Sequence, residues 1–402
     1  MNFVLIEALT FGLGKLVEAA ESLNVNLTLL TYNPEIYRFE LDKINSSNFN
    51  LIKINTFDKN EVIKQCNKTP NLRGIINLTD TWTNMATEVS EHFGFTGQNP
   101  ISTKICRNKF LLRNTLCKNN LTKGISKLVK LNNPTYQYEK DLSNLKYPLI
   151  VKDPSGTGSK NVWFAENYDE LINLILDLKN KEDLEDILLE TYFTGTLYSA
   201  ETISYKGETK LISISSRVLS DMPNFMEKAI SLPIDLRFKS LKGVNNWINK
   251  ILDSICYTDG FAHTEFIVTK DGFEVVEVNP RLGGVQIGEA LCQAFDYNFY
   301  KAFLEMAMNK RPEVLDMTLD ASTYTGQVFI YAKEQGVFSH IDSRYMDKDK
   351  STIYPCAYKG KEIKNLNDQS ACVAILLTKS DSTESALLDV LSEANKIKTI
   401  ME

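Results

Sequence analysis

FEVVEVNPRLGG, residues 273–284, alternates apolar and acidic side chains as a strand does, then runs into Asn279-Pro280-Arg281 and a pair of glycines. A strand that only fills a core has no need to end on opposite charges beside flexible backbone. Upstream lies GFAHTEFIVTKDG, residues 260–272, so the two runs read as a β-hairpin. With the turn at Lys270-Asp271-Gly272 and Gly272 in the left-handed conformation, Thr269 pairs with Phe273. Counting back along both arms sets Glu265 opposite Glu277 and His263 opposite Asn279, all on one face.

Two carboxylates facing each other across a sheet destabilise it by roughly several tenths of a kcal/mol, and burial makes this worse. A hard divalent cation would compensate. Mg²⁺ takes carboxylate and amide oxygens, keeps waters and shares its remaining positions with phosphates, so Glu265, Glu277 and Asn279 suit it. The lack of Cys or clustered His disfavours zinc. A competing register remains: a two-residue Asp-Gly turn would put Glu277 on the opposite face from Glu265 and leave one of them in solvent.

The chain has 402 residues, which at roughly 100 to 200 residues per domain predicts two or three domains. Hydrophobic content of 43% and charged content of 24% place it among globular chains rather than disordered or fibrous ones. A net charge of −6 without a long basic run argues against general nucleic-acid binding. A small anionic ligand needs only a local basic pocket. The seven cysteines are scattered and form no Cys-x-x-Cys pair, which favours a reducing compartment. MNFVLIEALTFGLGKLVEAAES lacks a basic lead and carries Glu7 within its apolar run, so neither a signal peptide nor a membrane span is expected and the cytoplasm is the default.

The first hundred residues alternate strand and helix, the opening unit of an open parallel sheet. Phe11-Gly12-Leu13-Gly14 invites a dinucleotide reading, but the third glycine and the acidic residue closing the next strand are both missing. A plain strand-to-helix turn is preferred. Residues 102–120 read as a helix carrying Lys104, Arg107, Lys109 and Arg113. A strand-rich middle follows, with an amphipathic helix at YDELINLILDLKNK, and another strand-rich region begins after Arg311-Pro312.

PLIVKDPSGTGSKNVW, residues 148–163, has a buried strand ending in Lys152 and then a loop of small residues. The ammonium can supply charge and Ser155, Gly156, Thr157, Gly158 and Ser159 backbone N–H groups to phosphate oxygens. A plain hairpin turn uses the same residues, and no P-loop pattern is present. DILLETYFTGTLYSAE, residues 186–201, presents a strand edge with Glu190 and then Glu201. Such an edge can meet a purine, or it can be an ordinary surface strand.

Together Lys109, the Lys152 segment, the Glu190 segment and the hairpin resemble the ATP-grasp superfamily, over about 180 residues in the middle of the chain. The final Glu followed by Glu-x-Asn-x-Arg on the next strand is the most specific part. The resemblance implies an α/β chain, α+β in the ATP-grasp part. It comprises an N-terminal open parallel sheet over residues 1–100, an ATP-grasp domain over 101–308 with a lid at about 123–192, and a C-terminal strand-rich extension over 309–402. It further implies ATP held by Lys109 and Lys152 under the loop 155–159. Glu190 and the backbone of Tyr192 and Phe193 would meet adenine, with Glu201 nearby. One or two Mg²⁺ ions, with Mn²⁺ as an alternative, would sit on Glu265, Glu277 and Asn279, and Arg281 would face the reacting acyl centre.

Within the superfamily the HTEF…NPRLGG form most resembles the ligases that join amino acids. In that branch FMEKAISLP, residues 225–233, looks like a substrate-facing strand on which Glu227 could pair an amino group. Glu227 as a surface acid is an equal reading. His263 would touch metal shell or substrate, or serve the core; Gly283 and Gly284 would let backbone approach a carboxylate, or simply form a turn. The expected partners are small molecules, not nucleic acid or membrane, and a homodimer by analogy. A biotin-carboxylase-like or purine-biosynthetic ligase and a non-catalytic nucleotide-binding scaffold stay open as alternatives. One departure is Lys152-Asp153-Pro154, where many members have Lys-Pro directly.

Overall fold

The computed structural model describes residues 1–132, 142–156, 161–179, 184–222, 224–236 and 241–402. Strands β1 (Asn2–Ile6), β2 (Asn26–Thr31), β3 (Phe49–Lys53) and β4 (Leu72–Ile76) form a parallel sheet in the order β3-β2-β1-β4. Phe3 and Leu5 enter one apolar cluster and Val4 and Ile6 another. A strand buried on both faces reads as a continuous apolar run, as NFVLI does. The carboxyl end of β1 is knotted by buried Glu7, which accepts from the Tyr32 N–H at 2.7 Å and the hydroxyls of Tyr37 and Thr56 at 2.6 Å each.

The glycine turn after β1 has its own explanation. Helix Leu13–Ser22 begins there, and buried Glu40 accepts the N–H groups of Gly12, Leu13 and Gly14 at 2.9, 2.6 and 3.3 Å. The position where a helix N-terminus would hold a phosphate is thus filled by the protein's own carboxylate. Gly12 has φ +104°, and a Cβ there would run into the Tyr300 ring. Burial pushes Glu40 upward, and it pushes Glu289, also close to the negative charge of Glu40, up to about 7.

A carboxyl group raised in the folded state contributes stability that is fully present below its unfolded value near 4.5 and is lost as pH rises through about 7. Thermal melts should therefore fall from pH 4.5 toward pH 8 through this group. Glu289→Gln should flatten that slope and raise the melting temperature at pH 8; identical slopes in both proteins would exclude Glu289 as the source.

Residues 102–120 form two helices rather than the single one expected. Pro100–Cys106 stops at Arg107, and Asn108 caps Lys109–Lys118 by accepting the Leu111 N–H at 3.0 Å. A capping Asn ends one helix and starts the next. The break places Lys109 in the first turn of the second helix, and Arg113 four residues on shares its face.

Four antiparallel strands, β5 (Ser126–Lys130), β6 (Leu149–Lys152), β7 (Val162–Ala165) and β8 (Asp186–Thr191), build a small sheet in the order β5-β8-β6-β7. Helix Tyr168–Leu178 covers it, and its Leu171, Ile175 and Leu178 share a core with Val129, Leu149 and Ile187.

The central sheet has eight strands. Its members β9 (Thr196–Tyr205), β10 (Glu208–Leu219), β11 (Glu227–Leu232), β12 (Gly260–Thr269) and β13 (Gly272–Asn279) precede three later ones, β14 (Tyr324–Tyr331), β16 (Ser351–Pro355) and β18 (Cys372–Ser380). The order is β13-β12-β9-β10-β11-β14-β18-β16. Strands from beyond residue 309 thus continue the sheet that carries the hairpin. A separate three-stranded sheet joins β17 (Glu362–Ile363), β15 (Gly336–Asp342) and β19 (Lys398–Met401).

The hairpin pairs Glu265 with Glu277 and His263 with Asn279, as counted, but by another route. Thr269 pairs with Gly272 across a two-residue Lys270-Asp271 turn, and the register then shifts at Val276, between the Phe266–Val275 and Glu265–Glu277 pairs. The turn is one residue shorter than expected. The β-bulge supplies the extra residue and returns both carboxylates to one face.

Candidate active site

A cavity of about 510 Å³ lies between the small sheet and the central sheet. Lys109, Arg113, Lys152, Arg217 and Arg281 line it together with Glu190, Glu227, Glu265 and Glu277. These residues come from helix Lys109–Lys118, from β6, β8, β10 and β11, and from the hairpin and the segment after it.

On the small-sheet side, Glu190 is buried and gripped by two cations: Arg113 Nε donates to it at 2.9 Å, and Lys152 Nζ pairs with its other oxygen. Burial alone would raise this carboxyl, but Lys152 and Arg113 hold it below its ordinary value. Arg113 also donates to the Val275 carbonyl at 2.7 Å and to Thr122 at 3.2 Å, so one guanidinium ties its helix to β8 and to the hairpin. Tyr192 and Phe193 follow on the cavity wall, and Arg113 lies 5.5 Å from the Phe193 ring centre.

The loop after β6 folds onto Lys109. Its ammonium donates to the Gly156 carbonyl, and its backbone N–H donates to Pro154 at 3.0 Å. Asp153, the departure noted in sequence, accepts the Ser155 N–H at 2.8 Å and the Ser155 hydroxyl at 3.1 Å. Its carboxylate therefore organises the start of the loop, while Ser155 is exposed and Gly156 lines the cavity. Thr157, Gly158 and Ser159 lie outside the described residues.

On the central sheet a charge network runs across β10, β11, β12 and β9. Arg217 donates through Nε to both oxygens of Glu227 at 3.1 Å, and its Nη2 reaches Glu265 at 3.0 Å. His263 pairs through Nδ1 with Glu201, and its Nε2 lies 3.1 Å from Arg217 and 3.2 Å from Glu265. Burial opposes charge on His263, yet Glu201 lifts it to about 9. Burial would also raise Glu265, but Arg217 and His263 hold it well below the usual carboxylate range. Glu227 is shifted up by burial, against the pull of Arg217.

Glu201, expected beside the nucleotide, does not reach the cavity. It is fully buried, bound to His263 and to the Gly283 N–H at 2.8 Å. That bond also takes the Gly283 N–H out of reach of a substrate. A Cβ at Gly283 would lie 2.8 Å from Glu201 and from Ile287, so only glycine fits, whereas Gly284 lines the cavity and its nearest neighbour would be Arg281 at 3.5 Å. Val285 follows with φ +61°, an outlier for a β-branched residue, and turns the chain into helix Ile287–Phe295.

Glu277 is the more open carboxylate of the facing pair, with its side chain 26% exposed. It accepts from Asn279 Nδ2 at 2.8 Å and lies 3.7 Å from Lys109 Nζ. Protein cations therefore already offset part of the repulsion between Glu265 and Glu277. Among the described residues no group of three or more His, Cys, Asp or Glu is placed to hold a metal. The donor set is two carboxylates and an amide, which fits a hard ion that keeps waters and phosphate oxygens as its other ligands. Arg281 donates to Asp80 Oδ2 through Nε at 2.6 Å and to the Leu282 carbonyl at 2.9 Å.

Asp80, Arg113 and Arg217 were missed in sequence. Arg113 was findable from its helical spacing to Lys109, and Arg217 as a basic residue near the end of β10 with Glu227 at the start of the next strand. Asp80 meets Arg281 across 201 positions of sequence, which no local signal carries.

Residues 117–285 match a family described as the ATP-grasp domain. The fold matches the crystal structure of L-amino acid ligase from Bacillus licheniformis at a TM-score of 0.83 and 21% identity, over 100% of this chain and 98% of that one. It also matches the biotin carboxylase domain of the Hydrogenobacter thermophilus 2-oxoglutarate carboxylase, solved with MgADP and bicarbonate, at 0.74 and 14% identity over 99% and 90% of the two chains. Human carnosine synthase 1 is 20% identical over 186 residues, 43% of this chain and 22% of that protein. The chain carries an ATP-grasp domain, and along its whole length it has the fold of the ATP-grasp ligases.

Proposed function

We propose that the protein is an ATP-dependent ligase that activates an amino-acid carboxylate as an acyl phosphate and joins it to the amine of a second amino acid. The observation that carries this reading is one cavity in which Lys109, Lys152 and Arg281 face the carboxylate pair Glu265 and Glu277. Cations suited to a triphosphate and oxygens suited to Mg²⁺ converge there on a space large enough for a nucleotide and a small substrate.

The chemistry follows from these groups. A substrate carboxylate oxygen attacks the γ-phosphorus, ADP leaves, and the acyl phosphate forms. The amine nitrogen then attacks the acyl carbon, phosphate departs with the C–O electron pair, and the nitrogen gives up a proton. Lys109 and Lys152 hold phosphate oxygens, exchanging their present contacts with Gly156 and Glu190 for the nucleotide. Glu265, Glu277 and Asn279 would hold Mg²⁺, which when bound neutralises charge on the phosphates. Arg281, fixed by Asp80, is the donor for the tetrahedral oxyanion, an interaction worth about 2.7–4 kcal/mol when well aimed. Glu227 and Gly284 border the space left for substrate, and Tyr192 and Phe193 that left for the base.

The resemblance to L-amino acid ligase over both full chains favours amino acids over bicarbonate. Phosphate release should be measured across a matrix of paired amino acids with mass detection of the product. Release that depends on the pair is expected, together with a product short of one water. Release with bicarbonate alone would move the protein to the carboxylase reading, and ATP binding without ADP formation from any pair would favour a scaffold.

A further inference from the structure

The region beyond residue 309 adds two side chains to the cavity. Phe329 of β14 lines it, and so does Gln369, which stands in a short turn between β17 and β18. Asp368 caps that turn by accepting the Ser370 N–H at 2.7 Å, and the Ala371 carbonyl accepts the Ala332 N–H at 3.0 Å just past the end of β14. Gln369 is thereby set against the sheet.

Tyr331 holds its side chain. The Tyr331 ring stacks beside that of Phe329, with 6.4 Å between centres and 16° between planes, and its hydroxyl reaches the Glu227 carbonyl at 2.8 Å and donates to Gln369 Oε1 at 2.9 Å. One hydroxyl therefore joins Gln369 to the strand that carries Glu227. With its oxygen engaged, the half-buried amide keeps an NH2 that makes no hydrogen bond among the described residues.

The place of this donor decides what it can meet. Strands β9 and β10 lie between β12, which carries Glu265, and β11, so at roughly 4.8 Å per strand β11 runs about 14 Å from β12. β14 lies beyond it. Leu219, Phe225, Ile230 and Phe329 give this part of the cavity wall an apolar surface. A substrate whose reacting group lies beside Glu265 and Glu277 thus meets Gln369 only with its far end.

We propose that Gln369 is a specificity-determining residue, positioned by Tyr331, that donates a hydrogen bond to an oxygen at the remote end of the substrate, past an apolar stem. That the substrate is an amino acid rests on the ligase reading.

The test offers methionine, methionine sulfoxide and lysine, each with alanine as partner and ATP, to the wild type, Gln369→Leu and Gln369→Glu. Methionine ends without a strong acceptor, its sulfoxide in an acceptor oxygen, and lysine in donors only. Rates are read by phosphate release, and binding by calorimetry with ADP and Mg²⁺ present. The wild type should favour the sulfoxide over methionine by about three- to tenfold, chiefly in KM because the contact is remote from the reacting atoms. Gln369→Leu should erase that preference and Gln369→Glu should turn it toward lysine, while Tyr331→Phe, which frees the amide, should weaken it. Where Gln369→Leu melts below the wild type, Gln369→Glu carries the test, because it keeps the volume and the oxygen that Tyr331 holds. Equal use of methionine and its sulfoxide, a wild type that prefers lysine, or a ratio unchanged in both Gln369 variants overturns the assignment even where ligation proceeds. Discriminating binding without turnover keeps the subsite and removes the ligase reading. No binding of any of the three removes the subsite, whatever the matrix of paired amino acids shows for ligation.

Discussion

Glu277→Gln is expected to lower ATP-dependent product formation by at least about 10²- to 10³-fold, with the fold preserved. The amide keeps the volume and keeps an oxygen to accept the 2.8 Å bond from Asn279, but it removes a negative donor from the face shared with Glu265. It also relieves the like-charge pairing, so a loss of stability is not expected. Initial rates at saturating ATP and amino acids, read beside a thermal melt, check this. Near-normal turnover in a folded variant would take the hairpin out of the mechanism. A misfolded variant would show in the melt, and Asn279→Asp, which keeps an oxygen donor, should then retain more activity than Asn279→Leu.

Arg217→Ala should be the most damaging change to stability in the cavity, at about 3–5 kcal/mol. Its side chain is 8% exposed, and it is the cation that faces both Glu227 and Glu265. Truncation leaves two carboxylates in a buried place, with His263 and the more remote charge of Arg281 to offset them. The double variant Arg217→Met with Glu227→Leu should recover part of the loss, because replacing a buried pair costs less than breaking it. Melting temperatures of the single and double variants measure this. An Arg217→Ala protein that melts with the wild type would show that water already solvates the network.

How much was legible in the sequence depended on the range of the signal. The hairpin announced itself because period-two alternation is local, and its two carboxylates were brought together as counted. The turn was misjudged because a bulge at Val276 is chosen by packing on both sides of the sheet rather than by the identity of one residue. The helix break at Asn108 carried a local cap signal that the longer apolar pattern obscured. Glu201 reads from the sequence as a neighbour of the nucleotide, and only the approach of β9 to β12 and of Gly283 to Glu201 shows that it is the anchor of His263. Asp80 is visible only where distant segments meet.

At the glycine turn after β1 the sequence and the structure bear on one motif in different ways. Missing residues argued against a dinucleotide there, while the structure supplies a positive ground in Glu40 on the three N–H groups.

The bulge at Val276 also separates two parts of the hairpin that sequence proximity would seem to join. Residues 266–275 follow one register and the carboxylate pair another, so the tip is geared to the site through a single slipped tooth. The Lys270-Asp271 tip can therefore be lengthened or replaced, for instance by a reporter peptide, as long as Val276 keeps its extra place. Deleting Val276 alone would abolish the bulge and run one register through the whole hairpin, with Glu277 still opposite Glu265 and Glu274 still opposite Ile267.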